Sequence, residues 1–221
     1  MGNDPCDPGN ALRSPSLRGR RIAILPLGSI EWHCGAPLGT DSLLALRVAQ
    51  ELCRSVNSVC GGAALLPPLY YGASSEWGGY EEVSIPRDAI PLIIEGVAAS
   101  LERLGYHTLV LVNAHGGNTA ALRYAVERLV FDRGSRLRFY IVEWWRLVDA
   151  RLGHMDALEA GLVAEALGFR AGVLCECRGL SNPYTHVECE KVEGEPVAGL
   201  WDRLVERLRE AGEKICRGEG L

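Results

Sequence analysis

The chain has 221 residues, a formal net charge of −5 and a hydrophobic share of 48%. That length suits one α/β domain with a sizeable core, and an acidic balance without a basic stripe argues against a nucleic-acid surface. No apolar run reaches the length of a membrane span, so neither a nucleic acid nor a membrane is expected as a partner.

Residues 1–19 are rich in Gly, Pro, Asn and Asp and lack an apolar signal region. They read as a flexible arm preceding a domain over 20–221, on a protein expected in the cytoplasm. A strand is predicted over Arg21–Leu27. The amphipathic stretch Asp41–Val56 reads as a helix with Thr40 placed to cap it. Ala63–Leu69 reads as a second strand, and 72–84 as a polar, aromatic loop in which Trp77 is a candidate lid or subunit contact. Pro86 opens a helix that runs to Leu104 and stops at Gly105. A third strand, Thr108–Val112, leads to His115, and Asn118–Phe131 is helical. Leu137–Glu143 is a fourth strand, followed by Trp144 and Trp145 as packing residues. Asp156–Leu167 is a helix ended by Gly168, Val173–Cys177 a fifth strand, and Pro196–Cys216 a last helix. Repeated βα units predict a three-layer αβα domain around a mostly parallel sheet.

Three stretches place metal-competent side chains where a core-building sequence would not. The first runs from Gly28-Ser29-Ile30-Glu31-Trp32-His33 to Thr40-Asp41. The second is Asn113-Ala114-His115-Gly116-Gly117-Asn118, and the third pairs His154 with Glu159. The first two follow buried-strand patterns, and the carboxyl ends of parallel strands are where open α/β sheets bind ligands. Glu31 and His33 are two apart, which in extended backbone puts both on one face. Asp41 begins a helix, where free N–H groups favour a carboxylate. Each residue alone is as well read as a solvated loop or cap residue; together they point to one or two divalent ions. Oxygen and nitrogen donors suit zinc, iron or manganese, with Cys34 adjacent as a further donor. The Gly-Gly pair after His115 allows left-handed backbone and close ligand approach. His154 is placed in the loop before its helix, because five residues along a helix would put it and Glu159 on different faces. His107 and His186 read as a strand-opening residue and a loop residue.

There are eight cysteines, at positions 6, 34, 53, 60, 175, 177, 189 and 216, with no zinc-ribbon spacing. Buried thiols are the first expectation and intracellular disulfides, as in hyperthermophiles, the second. Basic residues are overwhelmingly Arg, Lys occurring only at Lys191 and Lys214, which hints at a hot habitat.

These motifs resemble the creatininase (creatinine amidohydrolase) family. Its opening motif, approximately Gly-Ser-x-Glu-x-His-Gly-x-x-Leu-Pro-x-x-Thr-Asp, matches Gly28 to Asp41. Its Asn-Gly-His-Gly-Gly-Asn matches Asn113 to Asn118, and its later His and Glu match His154 and Glu159. The resemblance implies a three-layer α/β fold, a two-metal amidohydrolase site, a small-molecule substrate and a homo-oligomer. Glu31, Asp41 and His115 would hold one ion. His33 and Asp41 would hold the other, with Asp41 bridging and Glu159 as a further carboxylate. His154, with Glu159, would transfer the proton. The chain departs from the family pattern in the motif-shortening between His33 and Asp41, in Cys34, and in the stretch after His154. These departures, with its short length, make it resemble the archaeal branch that includes the formamidopyrimidine ribotide deformylase of riboflavin biosynthesis. Formate release is therefore the expected reaction. Cyclic-amide hydrolysis, peptide trimming as in the family's mycofactocin peptidase, and a non-catalytic metal-binding oligomeric scaffold are the alternatives.

Overall fold

The computed structural model describes residues 4–13, 17–77, 80–151, 153–169, 174–178 and 187–221. A short helix, α1 (Pro8–Arg13), precedes β1 (Ile22–Leu27), α2 (Thr40–Val59), β2 (Ala63–Leu65), α3 (Ala89–Leu104) and β3 (Thr108–Asn113). Then come α4 (Thr119–Glu127), β4 (Arg138–Glu143), α5 (Trp144–Leu147), α6 (Ala157–Leu167), β5 (Leu174–Arg178), β6 (Glu188–Val192) and α7 (Leu200–Arg217). The main sheet has the order β2-β1-β3-β4, and every pairing in it is parallel.

Strand periodicity sorts the core into two layers. Ile22 and Ile24 of β1, with Val110 and Val112 of β3, pack under α2, α6 and α7 through Leu44, Val48, Leu52, Leu162, Leu204 and Leu208. Ala23, Leu25, Leu109 and Leu111 face the other way, against Ile90, Ile94 and Ala98 of α3 and Leu122 of α4. Because both faces are covered, β1 and β3 are apolar at successive positions rather than alternate ones. The predicted three-layer αβα architecture is the observed one.

Several predicted boundaries shift for identifiable reasons. β2 stops at Leu65 because Pro67 and Pro68 have no N–H for the ladder. The chain rejoins β1 only where Leu69 N donates to Pro26 O at 2.9 Å. Thr40 does not cap α2 but is its first residue; Gly39 occupies the cap, and the Thr40 hydroxyl donates to Pro37 O at 2.6 Å. Pro86 lies in a turn that Ala89 N closes at 2.9 Å, so α3 starts three residues later than expected. The helix after His115 ends in a π-helical turn, Arg128–Asp132. The expected fifth strand forms but does not join the main sheet: β5 pairs antiparallel with β6 in a separate hairpin.

The cysteine expectation is corrected. All eight are paired, as Cys6–Cys53, Cys34–Cys175, Cys60–Cys216 and Cys177–Cys189, with none free. Residues 4–13 of the expected arm lie against the domain: Cys6 is buried beside α2, and Leu65 N donates to Pro5 O at 3.0 Å. Among the described residues no helix is long and apolar enough to cross a membrane.

Candidate metal centre

The parallel register puts the ends of β1 and β3 side by side, Leu27 opposite Asn113, so the loops after both strands open at one edge of the sheet. Gly28 lets the first loop cross the start of α2: a Cβ there would lie 2.6 Å from the backbone carbon of Asp41. This close approach delivers Asp41 to the loop that carries Glu31 and His33. Asn118 ties the second loop on, donating from Nδ2 to Gly28 O at 3.0 Å and accepting from Ala73 N at 3.0 Å. Gly117 is also required for closeness rather than for left-handed backbone. It sits in a 3-10 turn without positive φ, and a Cβ would meet His115 Nε2 at 2.5 Å.

Glu31, His33, Asp41, His115, His154 and Glu159 are all buried, none more than 6% exposed. Their ligand atoms form two triads, Glu31–Asp41–His115 and His33–Asp41–Glu159, each with all three atoms within 4.8 Å of one another. Asp41 belongs to both. Its Oδ1 lies 3.0 Å from His33 Nε2, and its Oδ2 lies 3.0 Å from His115 Nδ1. Ser29 Oγ fixes the carboxylate by donating to Oδ2 at 2.8 Å. Glu31 Oε2 is 3.3 Å from His115 Nδ1, an ion-pair distance, yet it is buried without a hydrogen bond.

Each imidazole has one nitrogen facing a backbone carbonyl. His33 Nδ1 is 2.8 Å from Glu31 O, His115 Nε2 is 2.9 Å from Ala73 O, and His154 Nε2 is 2.7 Å from Trp32 O. An N–H donated to the carbonyl fixes the ring and leaves the other nitrogen for the centre, the arrangement typical of metal-binding histidines. His154 sits in the bend before α6, as expected, with Nδ1 3.7 Å from Glu31 Oε1. It joins Glu31 and His33 in a third cluster of ligand atoms. Trp77 is buried with its ring centroid 4.2 Å from that of His154, so it covers this histidine. Asp156 caps α6 by accepting from Leu158 N and Glu159 N, and the Glu159 side chain turns back to accept from Met155 N at 2.6 Å.

Burial opposes charge on every one of these groups, and their neighbours decide which stay charged. The Asp41 carboxylate overrides burial at His33 and raises its imidazole to about 9. Glu31 and Asp41 likewise hold His115 well above its ordinary value. The two histidines in turn keep Asp41 charged well below the usual carboxylate range, and His115 lowers Glu31. Burial and the Asp41 charge push Glu159 up to about 8, while burial and His33 push His154 down to about 4. The Glu31 and Asp41 carboxylates and the Glu159 carboxyl are thus buried around two imidazoles that hold protons, and cations can replace the protons on these groups. The donor set and the orphaned Glu31 oxygen fit divalent ions.

Glu76 was not singled out in the sequence. It sits in the Trp77 turn with Oε1 3.8 Å from His115 Nε2 and Oε2 buried without a hydrogen bond among the described residues. Its only signal was an acidic residue inside an aromatic loop. His107 lies exposed before β3, away from the role of a ligand, and His186 lies outside the described residues.

The family model for creatinine amidohydrolase matches residues 11–164. The chain belongs to this family. It is 34% identical over 114 residues to the mycofactocin precursor peptide peptidase of Mycolicibacterium smegmatis, an overlap covering 50% of this chain and 46% of that protein. The chain thus spans about half the length of the curated relatives it matches. In structure it is similar to a Bacteroides fragilis protein assigned as a creatinine amidohydrolase, with a TM-score of 0.70, 18% identity and 90% of each chain covered. A manganese creatininase superposes with a TM-score of 0.66 at 17% identity, over 90% of this chain and 91% of that one. At such identities these likenesses establish the fold.

Proposed function

We propose that this protein is a metal-dependent amidohydrolase. One ion would be held by Glu31, Asp41 and His115 and a second by His33, Asp41 and Glu159. The observation that carries this reading is the placement of the two Asp41 oxygens, each turned toward a different histidine. Bound there, divalent ions supply an acidified water and a positive charge for the developing oxyanion of an amide. The chain's own part is to bridge, orient and move protons. Asp41 keeps the two triads together, and Glu31 O, Ala73 O and Trp32 O fix the rings. With Nε2–H donated to Trp32 O, neutral His154 presents Nδ1 as a proton acceptor that can pass the proton on to the departing amine. Trp77 excludes water from that side. Glu159 is the second candidate for proton transfer. Glu31, His33, Asp41 and His115 are the core of the proposed ligand set, which Glu159 completes when it does not carry the proton, with zinc, iron or manganese as the metals that suit it.

For the substrate, we favour a small formamide such as the formamidopyrimidine ribotide, with release of formate. The motif-shortening after His33 and the altered stretch around Glu159 set the chain apart from a creatinine site and support this ranking. A second reading, trimming of a peptide, is favoured by the similarity to the mycofactocin precursor peptide peptidase. The test is a metal-replete assay for formate release from the ribotide, run beside creatinine and short peptides. Peptide cleavage without formate release would reverse the ranking. We also propose a homo-oligomer. Leu92, on α3, is 65% exposed and Phe131, after α4, is 81% exposed, on one helical layer. Sedimentation as a monomer at micromolar concentration would refute this.

A further inference from the structure

Two of the four disulfides are not isolated from each other. Cys175 and Cys177 are alternate residues of β5 and share a face, and Cys189 lies opposite Cys177 on β6. The sulfurs of Cys175, Cys177 and Cys189 all lie within 4.8 Å of one another, although Cys175 is paired with Cys34 and Cys177 with Cys189. The pairs differ in access. Cys34 and Cys175 are 1% and 4% exposed in an apolar pocket with Met155 and Val163, whereas Cys177 and Cys189 are both partly open to solvent. The inner pair also ends on the metal loop. Cys34 directly follows His33, and its backbone is held at φ 52°, a left-handed conformation that non-glycine residues adopt at a cost.

We propose that these four cysteines form a thiol–disulfide relay that carries reduction from solvent to the metal loop. A small dithiol attacks the outer pair, is itself oxidised to its cyclic disulfide, and leaves Cys177 and Cys189 as thiols. The released thiolate of Cys177, or of Cys189, attacks the Cys175 sulfur. The new bond joins Cys175 to the attacking residue, the Cys34–Cys175 bond breaks, and Cys34 leaves as a thiolate that takes up the proton. The two electrons of the dithiol then reside as thiols on Cys34 and on whichever outer cysteine did not attack. Thiolate attack on a neighbouring disulfide through such an intermediate is the ordinary exchange route, and access decides which pair meets the reductant first. The consequence is local: the tether of Cys34 opens one residue from His33, and the left-handed backbone is free to relax.

The test uses the full, metal-loaded chain and one equivalent of dithiothreitol, followed by acid quenching, alkylation and peptide mapping. The expected result in the wild type is alkylated Cys34, with Cys175 recovered in a bond to Cys177 or Cys189. Cys34 left unlabelled under these conditions would overturn the relay. In the double variant Cys177→Ser/Cys189→Ser, labelling of Cys34 should slow by roughly tenfold or more, because the internal nucleophile and its proximity are lost. A hairpin that had merely loosened would expose the inner pair and speed its labelling, so an unchanged or faster rate in a folded double variant also refutes the proposal.

Discussion

Metal binding to this centre should be coupled to proton release, and the coupling can be worked from the structure. The perturbation is pH. His33 faces Asp41 through Nε2 at 3.0 Å, and its imidazole is raised to about 9. At pH 7 that imidazole keeps its proton in all but about 1% of metal-free molecules, so an ion that needs the lone pair is opposed by about 100-fold. Glu159 in the same triad is raised to about 8 and is also mostly protonated at pH 7. The ion between His33, Asp41 and Glu159 should therefore displace about two protons below pH 8 and about one between pH 8 and 9. His115, held well above its ordinary value, adds one for the other ion. Titration calorimetry with zinc in buffers of different ionisation heat counts these protons directly. Apparent affinity should rise at least about tenfold per pH unit from 7 to 8. An affinity flat over that range, with no proton release, would refute the assignment of His33 and Glu159 as facing an ion.

The same groups set the stability of chelated protein. His33 has its pKa raised from 6.5 to about 9, so its contribution is present in full below pH 6.5 and lost as pH rises through 9. That amounts to about 3 kcal/mol, with the melting temperature of the metal-free form falling over this window and that of the metal-loaded form not. Asp41→Ala should lower content of both ions in elemental analysis, because both triads use its oxygens; normal content in folded protein would reject the bridge. His154→Ala should keep its metal yet lose turnover by roughly 10²–10⁴-fold, the scale of positioned acid–base catalysis. Gly28→Ala would press a methyl on the Asp41 backbone, and denaturant unfolding should show a loss of about 1–3 kcal/mol together with weakened metal binding.

What the sequence made legible follows from how sharply burial constrains each residue. β1 and β3 were readable because a strand covered on both faces is apolar at successive positions, and Glu31 and His115 follow them in the loops. The six polar residues of the centre, each ordinary alone, stood out only as a set, and the structure gathers all six. What could not be read was anything set by distant pairing. Cys175 and Glu176 alternate in β5 as a half-buried strand would, but nothing in that alternation says whether the partner is the main sheet or Cys189 and its neighbours in β6. The cysteine pairs have the same character, since connectivity is fixed by three-dimensional approach and not by spacing. Glu76 escaped notice because an acidic residue in a polar loop breaks no local rule; only its Oε1 at 3.8 Å from His115 Nε2, and a buried Oε2 without a hydrogen bond among the described residues, make it conspicuous. Thr40 shows the converse. Its cap signal is overridden: the hydroxyl donates to Pro37 O, and Thr40 is the first residue of α2 with Gly39 at the cap. Asp41 lies in the first turn of α2 whichever residue takes the cap, with its carboxylate held by Ser29 and reached by both histidines. Its place beside Glu31 and His33 rests on Gly28, which lets the loop backbone touch the start of α2.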